Sequence, residues 1–387
     1  MSQGEAPITS VAVRQLTVTN FRNHAAARVE AEASLVVLTG PNGAGKTNLL
    51  EALSMLAPGR GLRRAQLADM VRVTPEGGRA PGWAVAAEID GLQGPVRIGI
   101  AWQDAEREGG GRRVLVDGKA ARSSAELGRH VRLGWLTPAM DRLFGGPASD
   151  RRRFLDRMTA ALDPDHAVRT GRLEKLLRQR NRLLESVRAN AAWLDAVEAQ
   201  IAEAAVAVAA ARMAALEALE TGMKTVEKHG GPFPFARLRL QGWVEDRLRE
   251  SPALEVEDAC REMLAASRPA DAVAGRTLQG PHRSDLEVEH GPKGMPARLC
   301  STGEQKALLI AIVLAHAAAV KALPGCGAPL LLLDEVAAHL DAGRRAGLFE
   351  ALKGLGCQAW ITGTEEELFS EVRGEACFLR IEDGRII

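Results

Sequence analysis

Eight consecutive residues, Gly40-Pro41-Asn42-Gly43-Ala44-Gly45-Lys46-Thr47, carry the spacing GxxxxGK[ST]. Their glycines let the backbone turn tightly enough for its N–H groups to surround an anion, and Lys46 is placed to reach terminal phosphates. The Thr47 hydroxyl is the kind of hard oxygen that magnesium accepts. Together with Asn48 these residues are the candidate ATP site. A second cluster stands far along the chain, where Asp334 and Glu335 end the apolar run Leu330 to Leu333. An aspartate at such a strand end would hold magnesium with Thr47, and Glu335 would polarise a water as the catalytic residue. ATP and Mg2+ are the expected ligands. A third group, Ser301-Thr302-Gly303-Glu304-Gln305-Lys306, precedes another apolar run. A small hydroxyl residue and a glycine before a helix suggest amides aimed at an anion. The same residues also read as a plain helix start, with Ser301 or Thr302 as its cap.

These groups need elements to carry them. Leu35 to Thr39 form a short, wholly apolar, β-prone run, as a buried strand should, and Asn48 onward reads as helix. "ALLIAIVLAHAAAVKAL" is an apolar helix leading into the Leu330 strand. Strand, loop, helix and a second acidic-ended strand predict an α/β fold. At 387 residues the chain is long enough for a large core and for two lobes.

Composition narrows the setting. Cys260, Cys300, Cys326, Cys357 and Cys377 are scattered and odd in number, which suits thiols of a reducing compartment rather than a disulfide frame or zinc site. No apolar run approaches the length of a membrane span and no secretion signal opens the chain, so a soluble cytoplasmic protein without a membrane partner is expected. The net charge of +1 hides a regional asymmetry. Residues 112–188 hold 18 Lys and Arg against 9 Asp and Glu, whereas residues 301–387 hold 8 against 12.

Between Thr47 and Ser301 lie 253 residues. "GWAVAAEIDG", "PVRIGIAWQ" and "RRVLVDG" alternate like strands, and "PEGGRAPG" (75–82) and "REGGGR" (107–112) read as loop tips. The pattern then turns helical in "DRRRFLDRMTAALDP" and "RLEKLLRQRNRLLESV". A long alanine-rich helix from Leu194 is expected to stop at Gly222 and to pack within a compact lobe. The division read from this is 1–122 and 273–387 for the head and 123–272 for the helical lobe.

The signature-like stretch ahead of an acidic-ended strand resembles the ABC ATPase superfamily. There, the signature of one subunit closes over the γ-phosphate bound by another, a role this resemblance gives to Ser301, Gly303 and Glu304. "AHLD", ending at Asp341, resembles the D-loop, and "QAWITGT" resembles the last core strand, with Thr364 where transporters carry a switch histidine. The sequence departs from that pattern after the signature glycine, and no Gln marks a Q-loop, where Asp141 stands in "WLTPAMDRLF".

Along nearly its whole length the chain resembles the RecF family of bacterial DNA repair proteins. "LTVTNFRNH", "GLRRAQLADMV", "GGPASDRRRFLDRM", "RQRNRLL" and "GRTLQGPHRSDLEV" carry the likeness, in the family's order. It implies an ABC-type P-loop ATPase head with a short, mainly helical second lobe, and an ATP-gated homodimer that binds gapped or junction DNA. It also implies slow, DNA-stimulated hydrolysis and partners RecO and RecR that help place RecA. Arg151, Arg152, Arg153 and Arg157, with Arg172, Lys175, Arg178, Arg180 and Arg182 beyond them, are candidate phosphate contacts, which give affinity that falls with salt. The same residues also read as a solvated helix face with pairs such as Glu174–Arg178. With no Tyr and few aromatics, a stacking platform for bases is not evident. The alternative is the ATPase motor of a transporter, which would show no stimulation by DNA.

Overall fold

The computed structural model describes residues 10–74, 76–104, 111–186, 190–228 and 231–387. Most of the loop tip expected at 107–112 and Pro75 of the other lie outside these residues. The strands are β1 (Ala12–Phe21), β2 (His24–Glu30), β3 (Leu35–Thr39), β4 (Gly82–Gly91), β5 (Gly94–Gln103), β6 (Gly111–Val116), β7 (Lys119–Ala120) and β8 (Leu133–Leu136). They continue with β9 (Ala236–Gln241), β10 (Asp285–His290), β11 (Met295–Pro296), β12 (Leu330–Leu333), β13 (Ala359–Thr362), β14 (Ala376–Glu382) and β15 (Arg385–Ile386). The helices are α1 (Lys46–Ser54), α2 (Ala148–Leu162), α3 (His166–Glu185), α4 (Ala191–Lys228), α5 (Trp243–Leu248), α6 (Ala253–Ala274), α7 (Thr302–Lys321) and α8 (Ala342–Leu355).

The chain divides into two compact units. The first comprises 1–141, 221–235 and 301–387, and the second 142–220 and 236–300. The chain thus changes unit at 141/142 and 300/301, not at the 122/123 and 272/273 divisions read from the sequence, and 221–235 returns to the first unit. The change from strand-like to helical pattern suggests the earlier first boundary, whereas β8 pairs with β12 and so stays with the first unit.

The first unit holds two six-stranded sheets. One runs β2-β1-β4-β5-β6-β7 and is built of antiparallel pairs. The other runs β15-β14-β3-β13-β12-β8, with β14, β3, β13, β12 and β8 paired in parallel. Every residue of β3, β12 and β13 is buried, the pattern of strands covered on both faces. Val36, Leu38, Leu330, Leu332 and Trp360 join Leu49, Leu50 and Leu53 of α1 and the inner faces of β1 and β4 in one apolar cluster. In the order β3-β13-β12, the middle strand lies between the phosphate loop and Asp334, and all three end on the same side. Ligands of parallel α/β sheets bind at such carboxyl ends.

Two helices are long and apolar enough to cross a membrane by length and composition, α4 and α7, contrary to the expectation of no such run. In α7 every residue from Lys306 to Val320 is buried, so its all-round apolar face is covered by protein. The α4 helix does not stop at Gly222 but continues to Lys228. A Cβ at Gly222 would stand 2.1 Å from the Ala315 carbonyl oxygen, so this glycine serves a close backbone approach to α7 rather than helix termination.

The second unit joins helices to a three-stranded sheet, β11-β10-β9, that the helical reading of this region did not foresee. Leu173, Leu176 and Leu177 of α3, Val197, Ile201 and Val208 of α4, and Cys260 and Leu264 of α6 form its main core.

Candidate functional site

The phosphate loop connects β3 to α1. Gly40 has φ 136° and lies so close to the strand beside it that a Cβ would stand 2.1 Å from the Ile381 carbonyl oxygen. Gly45, with φ 116°, is the N-cap of α1, and a Cβ there would meet Asn23 and His24. Both positions demand glycine for space as well as for backbone conformation. Gly40, Ala44, Gly45 and Lys46 form a buried floor, while Pro41, Asn42 and Gly43 are an exposed rim.

Lys46 Nζ donates to the carbonyls of Gly40 at 2.6 Å and Pro41 at 2.9 Å. Those bonds use two of the three N–H groups of an ammonium and hold it over the loop. Burial lowers the Lys46 pKa, and the carboxylates of Glu335 and Asp334 oppose that shift. Both acids therefore lie close enough to act on the phosphate-loop lysine, across nearly 290 residues of sequence. Thr47 Oγ1 donates to Asp334 Oδ1 at 2.8 Å. Asp334 is nearly buried, and its backbone N–H donates to the Leu136 carbonyl, which fixes the end of β12 against β8. Glu335 sits at φ 51°, an unusual conformation for a side chain of this type, which costs on the order of 1–2 kcal/mol. Its N–H donates to Thr362 Oγ1 at 2.9 Å.

Thr362 is a site residue that the sequence reading did not single out. Its hydroxyl donates to Asp334 Oδ1 at 2.8 Å, so one carboxylate oxygen gathers the hydroxyls of Thr47 and Thr362. Thr364, the residue aligned with a switch histidine, is exposed two positions further on. The signal for Thr362 is the sheet order, since the end of β13 must lie between β3 and β12.

Asn23 and His24, within "LTVTNFRNH", are also site residues that the sequence reading did not single out. Asn23 Nδ2 donates to the Ala44 carbonyl at 2.9 Å, and Asn48 Nδ2 donates to Asn23 Oδ1 at 2.7 Å. The fully buried His24 ring places Nε2 3.0 Å from the Gly45 carbonyl and Nδ1 2.8 Å from the Gly384 carbonyl. Arg63 donates to Asn48 Oδ1 at 2.7 Å. The turn after β1 thus fixes the carbonyls of Ala44 and Gly45 in the loop.

The Ser301 group forms a complete capping box at the start of α7. Ser301 Oγ accepts from the Glu304 N–H, and Glu304 Oε2 accepts from the Ser301 N–H at 2.9 Å. Ser301, not Thr302, is the cap, and Ser301, Thr302 and Gly303 remain exposed. One turn on, buried Lys306 lies 3.5 Å from an Asp141 carboxylate oxygen. Asp341 caps α8 by accepting from the Arg344 N–H at 2.8 Å.

The arginines of the second unit separate into different roles. Arg151 makes a bidentate pair with Asp285, 2.7 Å at each contact, and donates to the Gly146 carbonyl at 2.6 Å. It is an internal tie and not a free phosphate contact, a correction to the sequence reading. Arg180 is wholly buried against Glu198 at 2.8 Å and Asp271 at 2.7 Å, a second correction. Arg172 pairs with Glu203, and Arg178 lies 3.6 Å from Glu174, as the solvated-face reading expects. Arg153 pairs with Asp150, Arg157 lies over the Phe154 ring, and Arg152 donates to the Ser284 carbonyl at 2.6 Å.

A phosphate loop, a hydroxyl-bound aspartate at the end of a parallel strand two places away, and a capped helix ahead of that strand define an ABC-type P-loop ATPase head. The model of the RecF/RecN/SMC N terminal domain matches residues 12–382. The chain is 52% identical over 374 residues to the DNA replication and repair protein RecF of Mesorhizobium japonicum, covering 97% of each. It is 49% identical to the protein of that name from Rhizobium johnstonii, covering 97% of this chain and 98% of the relative. In fold it is similar to a recombination mediator RecF solved with ATP, with TM-score 0.84, 23% identity and coverage of 100% and 99%. An Smc head domain from Pyrococcus furiosus is similar more distantly, with TM-score 0.54, 16% identity and coverage of 97% and 96%. The chain belongs to the RecF family.

Proposed function

We propose that this chain is an ATP-gated DNA-binding protein of recombinational repair and replication restart, with slow hydrolysis. The observation that carries the reading is the convergence of Lys46, Thr47, Asp334 and Thr362 at the ends of β3, β12 and β13. The loop amides from Gly43 to Asn48 and the Lys46 ammonium would hold the phosphates of ATP. A carboxylate and a hydroxyl 2.8 Å apart form the all-oxygen, partly filled donor set that Mg2+ uses when phosphates and waters complete its shell. Bound there, the ion would neutralise charge on the transferring phosphoryl group. Glu335, held by its N–H on Thr362, would orient the attacking water.

The exposed Ser301 and Gly303 suit a second role beyond capping, that of reading the γ-phosphate held by another subunit of a two-fold dimer. Membership of the family supports DNA as the partner, and the RecFOR pathway named for the solved relative supports cooperation with RecO and RecR; help in placing RecA is part of the same proposal. A cytoplasmic location without a membrane partner follows from that role.

Mixed dimers test this arrangement. Lys46→Met damages the phosphate loop and Ser301→Arg the signature, so each homodimer should be nearly inactive. Random mixing gives about half heterodimers, each with one intact composite site, and should restore about a quarter of wild-type ATPase. Mixtures as inactive as their components, with heterodimers shown to form by mass, would reduce the Ser301 group to a helix cap.

A further inference from the structure

Four arginines gather at the turn before β10: Arg151 and Arg152 from α2, Arg212 from α4, and Arg283 from the turn itself. The acids at this turn are already engaged. Asp285 is held by Arg151 through both oxygens, and Asp156 by Arg212 at 2.8 and 2.9 Å and by His166 at 2.8 Å. Buried Glu245 accepts from Ser284 Oγ at 2.7 Å. Arg152 and Arg283 have no ion-pair partner among the described residues, although Arg152 is partly buried and Arg283 exposed. Arg152 bonds the carbonyl of Ser284, the residue next to Arg283, and the charge of Arg283 acts on that of Arg152.

The turn is held in place before any ligand arrives. His282 Nε2 lies 3.0 Å from the Thr277 carbonyl, the Arg283 N–H donates to the Gly280 carbonyl at 2.9 Å, and Arg212 donates to the Pro281 carbonyl at 2.6 Å. Burial lowers the pKa of Arg152, and Arg212 and Arg283 lower it further. Burial likewise lowers that of His282, with Arg283 and Arg152 adding to it. Burial leads both shifts, and the neighbouring guanidinium groups add to it against the opposing carboxylates of Asp285 and Asp156 at Arg152 and of Asp271 at His282. Cations brought together on a rigid frame without a saturating carboxylate are completed by an external anion. Guanidinium forks match a phosphate better than a point charge would.

We propose that Arg152 and Arg283 form a preorganised contact for backbone phosphates of DNA, the part of the second unit that reads the duplex without regard to sequence. The inference rests on the DNA-binding reading above. Arg283→Gln, Arg152→Gln and the double variant can be titrated with labelled duplex DNA in the presence of ATP over a range of salt. Each lost contact should flatten the dependence of log K on log salt by about 0.9. The double variant should lose about twice that, with sequence preference and ATP affinity unchanged. Arg152→Lys, which retains the charge, should keep most of the slope. Because Arg283 is exposed and unpaired, Arg283→Gln should melt as the wild type does. Wild-type slope and affinity in the double variant, where wild type itself binds DNA, would overturn the assignment and leave the DNA reading standing. Lost ATP affinity with an unchanged DNA slope would overturn it in favour of a nucleotide phosphate. A wild type that binds no DNA at any salt would remove both.

Discussion

The phosphate loop of the first unit and the arginine-rich helices of the second both present basic side chains, yet they differ in how those side chains acquire a role. Lys46 is placed by the eight residues around it: its partners are the carbonyls of Gly40 and Pro41, and glycine geometry at Gly40 and Gly45 fixes the loop. Arg151 and Arg180 are placed by residues 134 and 91 positions away, Asp285 and Asp271. Adjacent arginines accordingly diverge. Arg151 is an internal tie, Arg152 half of a free cation pair, and Arg153 an exposed partner of Asp150. A side chain whose surroundings are local in sequence can be assigned from a motif, and one whose surroundings are assembled from several helices cannot.

The sharpest way to test that contrast is to remove a buried cation. Arg180→Ala leaves Asp271 buried without its cation, while Glu198 keeps Arg268, and should cost about 3–5 kcal/mol of stability, read by denaturant unfolding. A loss below about 1 kcal/mol would put Arg180 back among the surface charges. Lys46→Met should act differently, weakening ATP binding about 100-fold through the loss of about 3 kcal/mol of charged hydrogen bonding. Its melting temperature without nucleotide should stay near that of wild type, and nucleotide titration beside calorimetry separates the two effects. Gly222→Val probes the helix contact that the sequence concealed. Overpacking against the Ala315 carbonyl should cost about 1–3 kcal/mol in thermal unfolding, whereas helix propensity alone predicts a small gain on losing a glycine. The smallest effect belongs to Arg153→Ala, whose exposed pair with Asp150 should contribute less than about 0.5 kcal/mol. A larger loss would show that even exposed arginines of α2 are structural.

The head of the molecule was legible wherever chemistry coincided with backbone geometry. The spacing from Gly40 to Thr47, the wholly apolar β3 and β12, and the acids Asp334 and Glu335 are contiguous patterns whose meaning depends on a few neighbours. Ser301 as a cap follows from the same locality, because its partner Glu304 is three residues away. Thr362 was not legible, since only the interposition of β13 between β3 and β12 brings it to Asp334. Asn23 and His24 belong to no motif that marks a site, and only the fold brings them to Ala44 and Gly45. The sheet β9-β10-β11 was hidden because its strands are separated in sequence by two helices, and Gly222 looked like a terminator because its contact with Ala315 is tertiary. The sequence by itself determined the phosphate loop, its acidic partner and the α/β frame, since short-range sterics and hydrophobic period suffice to specify them. Only the tertiary structure decided which cations are buried ties and which stay free. The free energy of a charge depends on the burial and counter-charges around it, and distant segments supply both.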